Sequence, residues 1–115
     1  MRRQLRVARP VRDLARSLEM YRRGLELSVL GHFEDHAGFD GVMLGVAGAD
    51  YHLEFTRCRR HEVIPAPTAE DLLVFYVPDE AEWQSACERM QRAGFRLVTP
   101  FSCRVVPQRE AWPPK

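Results

Sequence analysis

The stretch Leu5-Arg6-Val7-Ala8-Arg9-Pro10-Val11-Arg12-Asp13-Leu14-Ala15-Arg16-Ser17-Leu18-Glu19-Met20-Tyr21 changes its hydrophobic period halfway along. From Gln4 to Arg9 the side chains alternate, with Leu5 and Val7 on one face and Arg6 and Ala8 on the other. Pro10, which cannot donate to a ladder, stops the run. This predicts a strand. From Asp13 onward Leu14, Leu18, Tyr21 and Leu25 recur at spacings of four, three and four, and Gly24 stands where a helix would end. That predicts an amphipathic helix of about three turns. Leu27 to Phe33, Gly41 to Val46 and Tyr51 to Arg57 are short apolar or alternating runs. Asp35-His36-Ala37-Gly38 and Ala47-Gly48-Ala49-Asp50 separate them as turns, so the three runs predict an antiparallel meander.

The order then repeats. Arg59 to Ala69, with Pro65 and Pro67, has no periodicity and is the one evident linker. Asp71 to Val77 predicts a strand. A helix follows from Asp79, with Glu82 at capping-box spacing, Trp83, Ala86, Cys87 and Met90 on its apolar face and Gly94 at its close. Arg96 to Phe101 and Cys103 to Arg109 predict two more strands. The halves therefore duplicate one architecture with little shared sequence.

A chain of 115 residues suits one domain built on this pattern. Its 45% hydrophobic and 29% charged residues exclude a disordered or collagenous chain. A formal charge of +1 offers no general attraction for polyanions. The local cluster Arg57, Arg59, Arg60 is short, lacks interleaved aromatics and precedes Glu62, so it is expected to be a solvated loop, and no nucleic-acid partner is expected. No apolar run approaches the roughly 18–20 residues that cross a bilayer, and Met1-Arg2-Arg3-Gln4 leads into a strand. A cytoplasmic protein without a membrane partner is the expectation. Cys58, Cys87 and Cys103 are odd in number and widely spaced, which predicts reduced, partly buried thiols.

The quoted opening, followed by Leu25-Glu26-Leu27 and Leu30-Gly31, by Tyr51-His52-Leu53-Glu54-Phe55 and by Asp71-Leu72-Leu73-Val74-Phe75-Tyr76, resembles the vicinal oxygen chelate superfamily of glyoxalases, bleomycin-resistance proteins and extradiol dioxygenases. The likeness covers almost the whole chain. It is greatest to small glyoxalase-like proteins ending in a segment similar to Arg104-Val105-Val106-Pro107-Gln108-Arg109-Glu110-Ala111-Trp112. The resemblance implies an α+β fold in which two βαβββ-type modules form a curved, partly open sheet around a cavity. The expected single domain spans residues 1–115, with module one at 1–58, a linker at 59–70 and module two at 71–115. Relatives carry a further strand between the positions of Phe101 and Arg104, where this chain has only Ser102 and Cys103. The second module is therefore expected to be one strand short. The uncovered edge beside Leu97-Val98-Thr99-Pro100-Phe101 leads to the expectation of a homodimer.

Metal-using members of the superfamily place ligands at positions that fall here on Arg6, Glu54, Leu72 and Val106. A catalytic divalent ion needs about three protein ligands and an open position, and of these four only Glu54 qualifies. No cofactor is therefore expected. If a divalent metal does bind, His52 and Glu54 are the donors, because residues two apart on a strand share a face. The plainer expectation is that Arg6 pairs with Glu54 and His52 bonds beside them, leaving a polar pocket floor for an anionic or hydrogen-bonding ligand. Tyr76, in phase with Leu72 and Val74, is expected to face the same cavity. Arg6, His52, Glu54 and Tyr76 are thus the expected ligand contacts. His32 and Glu34 repeat the spacing on an edge strand and are expected at the surface, as are His36 in a turn and His61 in the linker. Trp112 and Phe101 are expected as packing aromatics, with cavity walls as the alternative, and Cys87 is expected as a small hydrophobe. The functional expectation is a small-molecule-binding protein similar to the bleomycin-resistance members. The alternatives are a metal-dependent lyase, isomerase or dioxygenase, and a shortened paralogue with only a structural role.

Overall fold

The computed structural model describes residues 3–66, 68 and 70–98. Its elements run β1 (Leu5–Pro10), α1 (Leu14–Gly24), β2 (Ser28–His36), β3 (Phe39–Gly45), β4 (Tyr51–Cys58) and α2 (Glu80–Arg92). The four strands form one open, curved sheet in the order β1-β4-β3-β2. β2, β3 and β4 are the antiparallel meander that the alternating runs predict, and β1 pairs with β4 in parallel, Arg6 opposite His52 and Ala8 opposite Glu54. The β2–β3 connection is tighter than expected. β2 continues through His36, and Ala37 (φ 52°) and Gly38 (φ 85°) alone turn the chain. Two successive positive φ values match the right-handed twist of a two-residue hairpin.

One face of the sheet is apolar because the period-two pattern places Val42, Leu44, Leu53 and Phe55 on it together, and these with Leu27 form the buried core. α1 lies against this face through Leu14, Leu18, Tyr21 and Leu25, the predicted stripe. Asp13 caps the helix by accepting from Arg16 N. Tyr21 anchors it, its ring edge-on to Phe55 at 4.7 Å and to Phe95 at 5.1 Å.

α2 begins on the Asp79 cap, with Glu82 N donating to its carboxylate, and half-buries Trp83, Ala86, Cys87 and Met90. It docks at the end of α1, where Gly24 leaves room: a Cβ there would come within 2.9 Å of the Phe95 ring. Arg89 secures the joint by donating to Gly24 O at 2.9 Å and pairing with Glu26 at 3.2 Å.

The predicted strand at 71–77 needs correcting. The segment keeps its alternation, with Leu73, Phe75 and Val77 half-buried and Leu72, Val74 and Tyr76 exposed, but it forms no ladder among the described residues. An extended run becomes a strand only when a neighbour takes up its backbone donors and acceptors. Residues 96–98, the described part of the predicted strand at 96–101, also form no ladder. The remainder of that strand, the strand predicted at 103–109, Cys103 and the aromatics Phe101 and Trp112 lie outside the described residues.

Candidate functional site

Alternation fixes which side chains can meet on the sheet face opposite α1. With Leu53 and Phe55 turned into the core, His52 and Glu54 point the other way, and the parallel register brings Arg6 of β1 alongside them. The Arg6 guanidinium engages both. Its Nε donates to His52 Nε2 at 2.8 Å, and its Nη1 lies 3.3 Å from Glu54 Oε1. An imidazole nitrogen that accepts from a guanidinium carries no proton, so this geometry selects the His52 tautomer with its hydrogen on Nδ1. The Glu54 side chain retains 12% of its exposure and that of Arg6 53%, so the carboxylate sits in the sheet while the cation reaches solvent. The sequence thus brings Arg6, His52 and Glu54 together as expected. Tyr76 stands apart from this triad in sequence, on the extended segment, and is half-exposed.

On the same face, side chains of β2 and β3 fill the space that two glycines leave. Gly41 has no side chain, and the Phe33 ring lies over its α-carbon where a Cβ would project. Gly31 similarly makes room for the Met43 methyl at 2.9 Å from where a Cβ would stand. β2 is the far edge of the sheet from β1, so His32 and Glu34 do not reach the Arg6 triad, as expected.

Sequence reasoning overlooked Asp40. It is buried to 8% exposure on the α1 side of β3, and it accepts from Arg59 Nε at 2.9 Å and Asp35 N at 3.0 Å. Arg57 lies at 3.5 Å and Arg59 Nη2 at 2.8 Å. Hydrogen bonds from the Arg59 guanidinium, then from the Asp35 backbone, hold its carboxyl down to about 2. The arginine cluster is therefore not simply a solvated loop: Arg57 belongs to β4, and Arg59 folds back onto Asp40 and Asp35. An acidic residue at an inward position of β3, with arginines across the register, was the available signal. A groove of about 830 Å³ opens beside this cluster, floored by Leu14, Leu18 and Val42. Its charged lining balances, with Arg12, Arg57 and Arg59 against Asp13, Glu34 and Asp40, so it has no net charge to attract an ion.

Two histidines expected in solvated roles have specific neighbours. His36 sits edge-on to Phe33 at 6.1 Å, and His61 Nδ1 lies 3.5 Å from Cys58 Sγ. Cys58 and Cys87 are free thiols. No described helix is long and apolar enough to cross a membrane.

Comparison with known proteins identifies the family. A YycE-like N-terminal domain model matches residues 5–56 and a YycE-like C-terminal domain model matches residues 70–103, on either side of the segment expected to be a linker. The uncharacterized protein YycE of Bacillus subtilis is 41% identical over 95 residues, which are 83% of this chain and 68% of that one. A crystal structure of a YycE protein from the same organism superposes with a TM-score of 0.77 at 40% identity, covering 84% of this chain and 71% of the other. That protein is described as of unknown function and as a candidate glyoxalase/fosfomycin resistance protein. On sequence and fold together, this chain belongs to the YycE-like family.

Proposed function

We propose that the chain is a cytoplasmic small-molecule-binding protein of the vicinal oxygen chelate type. It holds an anionic or hydrogen-bonding ligand on the face formed by Arg6, His52 and Glu54, with the Tyr76 hydroxyl as a further contact, and works without the superfamily's metal chemistry. The observation that supports this is the Arg6 fork. Its Nε–H donates to His52 and its Nη1 pairs with Glu54, which orient the guanidinium on a side chain that stays about half exposed among the described residues. A planar cation held this way suits a carboxylate or a phosphorus oxyanion.

The donor set does not fit a divalent metal. His52 and Glu54 are both turned toward a guanidinium that would repel the ion, and no group of three or more His, Cys, Asp or Glu residues is gathered among the described residues. Thermal shift against small carboxylates, phosphonates and inorganic phosphate tests the reading. A ligand present at a hundredfold over its Kd should stabilise the protein by about 2.7 kcal/mol, and Arg6→Met should abolish the shift. Elemental analysis giving one metal per chain, lost in His52→Ala and Glu54→Ala, would replace this reading with the metal-dependent enzyme.

A homodimer is part of the proposal. Among the described residues β1 has β4 as its one ladder neighbour, and Leu72, Val74, Leu97 and Val98 are 55–77% exposed. Such edges and apolar side chains are stable when covered by another chain. Light scattering at tens of micromolar should give twice the 13.3 kDa chain mass, and the single-chain mass would refute it.

A further inference from the structure

β1 carries two arginines, and strand alternation sends them to opposite faces of the sheet. Arg6 reaches the face away from α1, whereas Arg9 stands across the parallel ladder from Phe55 and points with it toward α1. There a cavity of about 470 Å³ opens between β1, α1 and the segment after β4. Pro10, Val11, Phe55, Pro65 and Ala66 form its apolar walls, a size and character that suit a small molecule. Arg9, Ser17 and Tyr21 supply its polar groups. Ser17 and Tyr21 are four apart on α1 and so are neighbours on one face, and the Tyr21 ring is fixed by its contacts with Phe55 and Phe95. Burial pushes the Tyr21 phenol up, with the nearby Arg9 charge opposing, so the hydroxyl keeps its proton and is a donor. Among the described residues no side-chain hydrogen bond or ion pair takes up Arg9, Ser17 or the Tyr21 hydroxyl. Asp71, the one acidic wall, is committed elsewhere: Thr68 N and Oγ1 both donate to its Oδ2 at 2.8 Å, and these bonds lower its carboxyl more than Arg9 does. Arg9 thus differs from Arg57 and Arg59, which are paired with Asp40. With Arg12 at the rim, the lining carries two cations against one carboxylate.

We propose that this cavity is a second binding site, for a small carboxylate carried on a compact aromatic or branched aliphatic body. The carboxylate accepts from the Arg9 guanidinium and the Tyr21 hydroxyl, with Ser17 beside them, and the body lies against Phe55, Val11 and the proline rings. An unpaired guanidinium prefers a carboxylate to the amide of the same shape, because a hydrogen bond between ions is about twice as strong as one between neutral groups. The apolar walls require the body, since an anion without one leaves them in contact with water. Pro10 and Pro65 have their φ angles fixed by their rings, so two walls are set before the ligand arrives. The sheet itself separates this cavity from Arg6, His52 and Glu54, so each face holds its ligand independently.

The test uses the full chain carrying Arg6→Met, which removes the first site and leaves this one. Isothermal titration with 4-tert-butylbenzoate is set against 4-tert-butylbenzamide, which has the same body without the charge, and against acetate and inorganic phosphate. The benzoate should bind about tenfold or more tightly than the amide, and acetate and phosphate should give no binding heat. Adding Arg9→Met should bring benzoate and amide to equal affinity. Adding Tyr21→Phe instead, which keeps the ring on Phe55 and Phe95, should weaken the benzoate several-fold. In the wild-type chain, nuclear Overhauser effects should run from the tert-butyl protons to the Phe55 ring and the Val11 methyls, a readout that needs no variant to fold. A preference for benzoate that survives Arg9→Met, or the absence of Overhauser effects at Phe55 and Val11, would overturn the proposal. Benzoate binding seen in wild type and lost with Arg6→Met would also overturn it, while leaving the Arg6 site standing.

Discussion

Removing Arg6 and removing Glu54 should have unequal costs, and the inequality follows from their burial. At 3.3 Å the pair attracts by about 1.3 kcal/mol in bulk water and about 5 kcal/mol at an effective dielectric of about 20. Arg6 is half in solvent, which places the coupling near the lower figure, at about 1–2 kcal/mol. Arg6→Met leaves Glu54, with 12% of its side chain exposed, without its cation and also takes the donor from His52 Nε2. That change should cost about 2 kcal/mol. Glu54→Gln keeps a hydrogen-bonding group of the same size and leaves Arg6 to water, so it should cost under about 1 kcal/mol. The double variant should recover about 1 kcal/mol relative to the sum of the two. Urea unfolding followed by circular dichroism, with unchanged m values, gives all three numbers. A coupling below about 0.3 kcal/mol, or Glu54→Gln costing more than Arg6→Met, would refute the view that a cation at the rim compensates a carboxylate set into the sheet.

Leu44, fully buried at the centre of the core, should cost about 2.7–5 kcal/mol when changed to Ala, measured by the same unfolding curves. Ala37→Asn should raise stability by about 0.5–1 kcal/mol, because Ala37 holds a φ of 52° in a two-residue hairpin that favours Asn before Gly. Asp40 has its carboxyl lowered in the folded chain from 3.8 to about 2, so its contribution is present in full above pH 4 and is lost as pH falls toward 2. The melting temperature of wild type should accordingly exceed that of Asp40→Asn at pH 7, with the gap closing between pH 4 and pH 2; a gap constant over that range would count against the Arg59 pairing.

Much of the site was legible because strand alternation is a strict rule. Once Leu53 and Phe55 are assigned to the core, His52 and Glu54 must share the opposite face, and the resemblance of the opening stretch placed Arg6 beside them. Asp40 was not legible. Its burial depends on which arginines lie across the β3–β4 register and on the bulge that swings Asp35 N toward it, and neither can be read from local spacing. Cys58 and His61 were dismissed one by one as a thiol and a linker histidine, and only the bend after β4 brings them together.

The sequence by itself determined the order of elements in the first module, the Asp79 cap of the second helix and the inward face of β4, since these depend on interactions between residues a few positions apart. Tertiary structure decided the rest. It set the parallel docking of β1 on β4 that lets Arg6 reach both His52 and Glu54, the seating of α2 on Gly24, and the two-residue turn that carries β2 through His36. The physical reason is the same in each case. Periodicity states what a segment could bury or pair, whereas a hydrogen bond or an ion pair exists only when a distant part of the chain arrives to complete it.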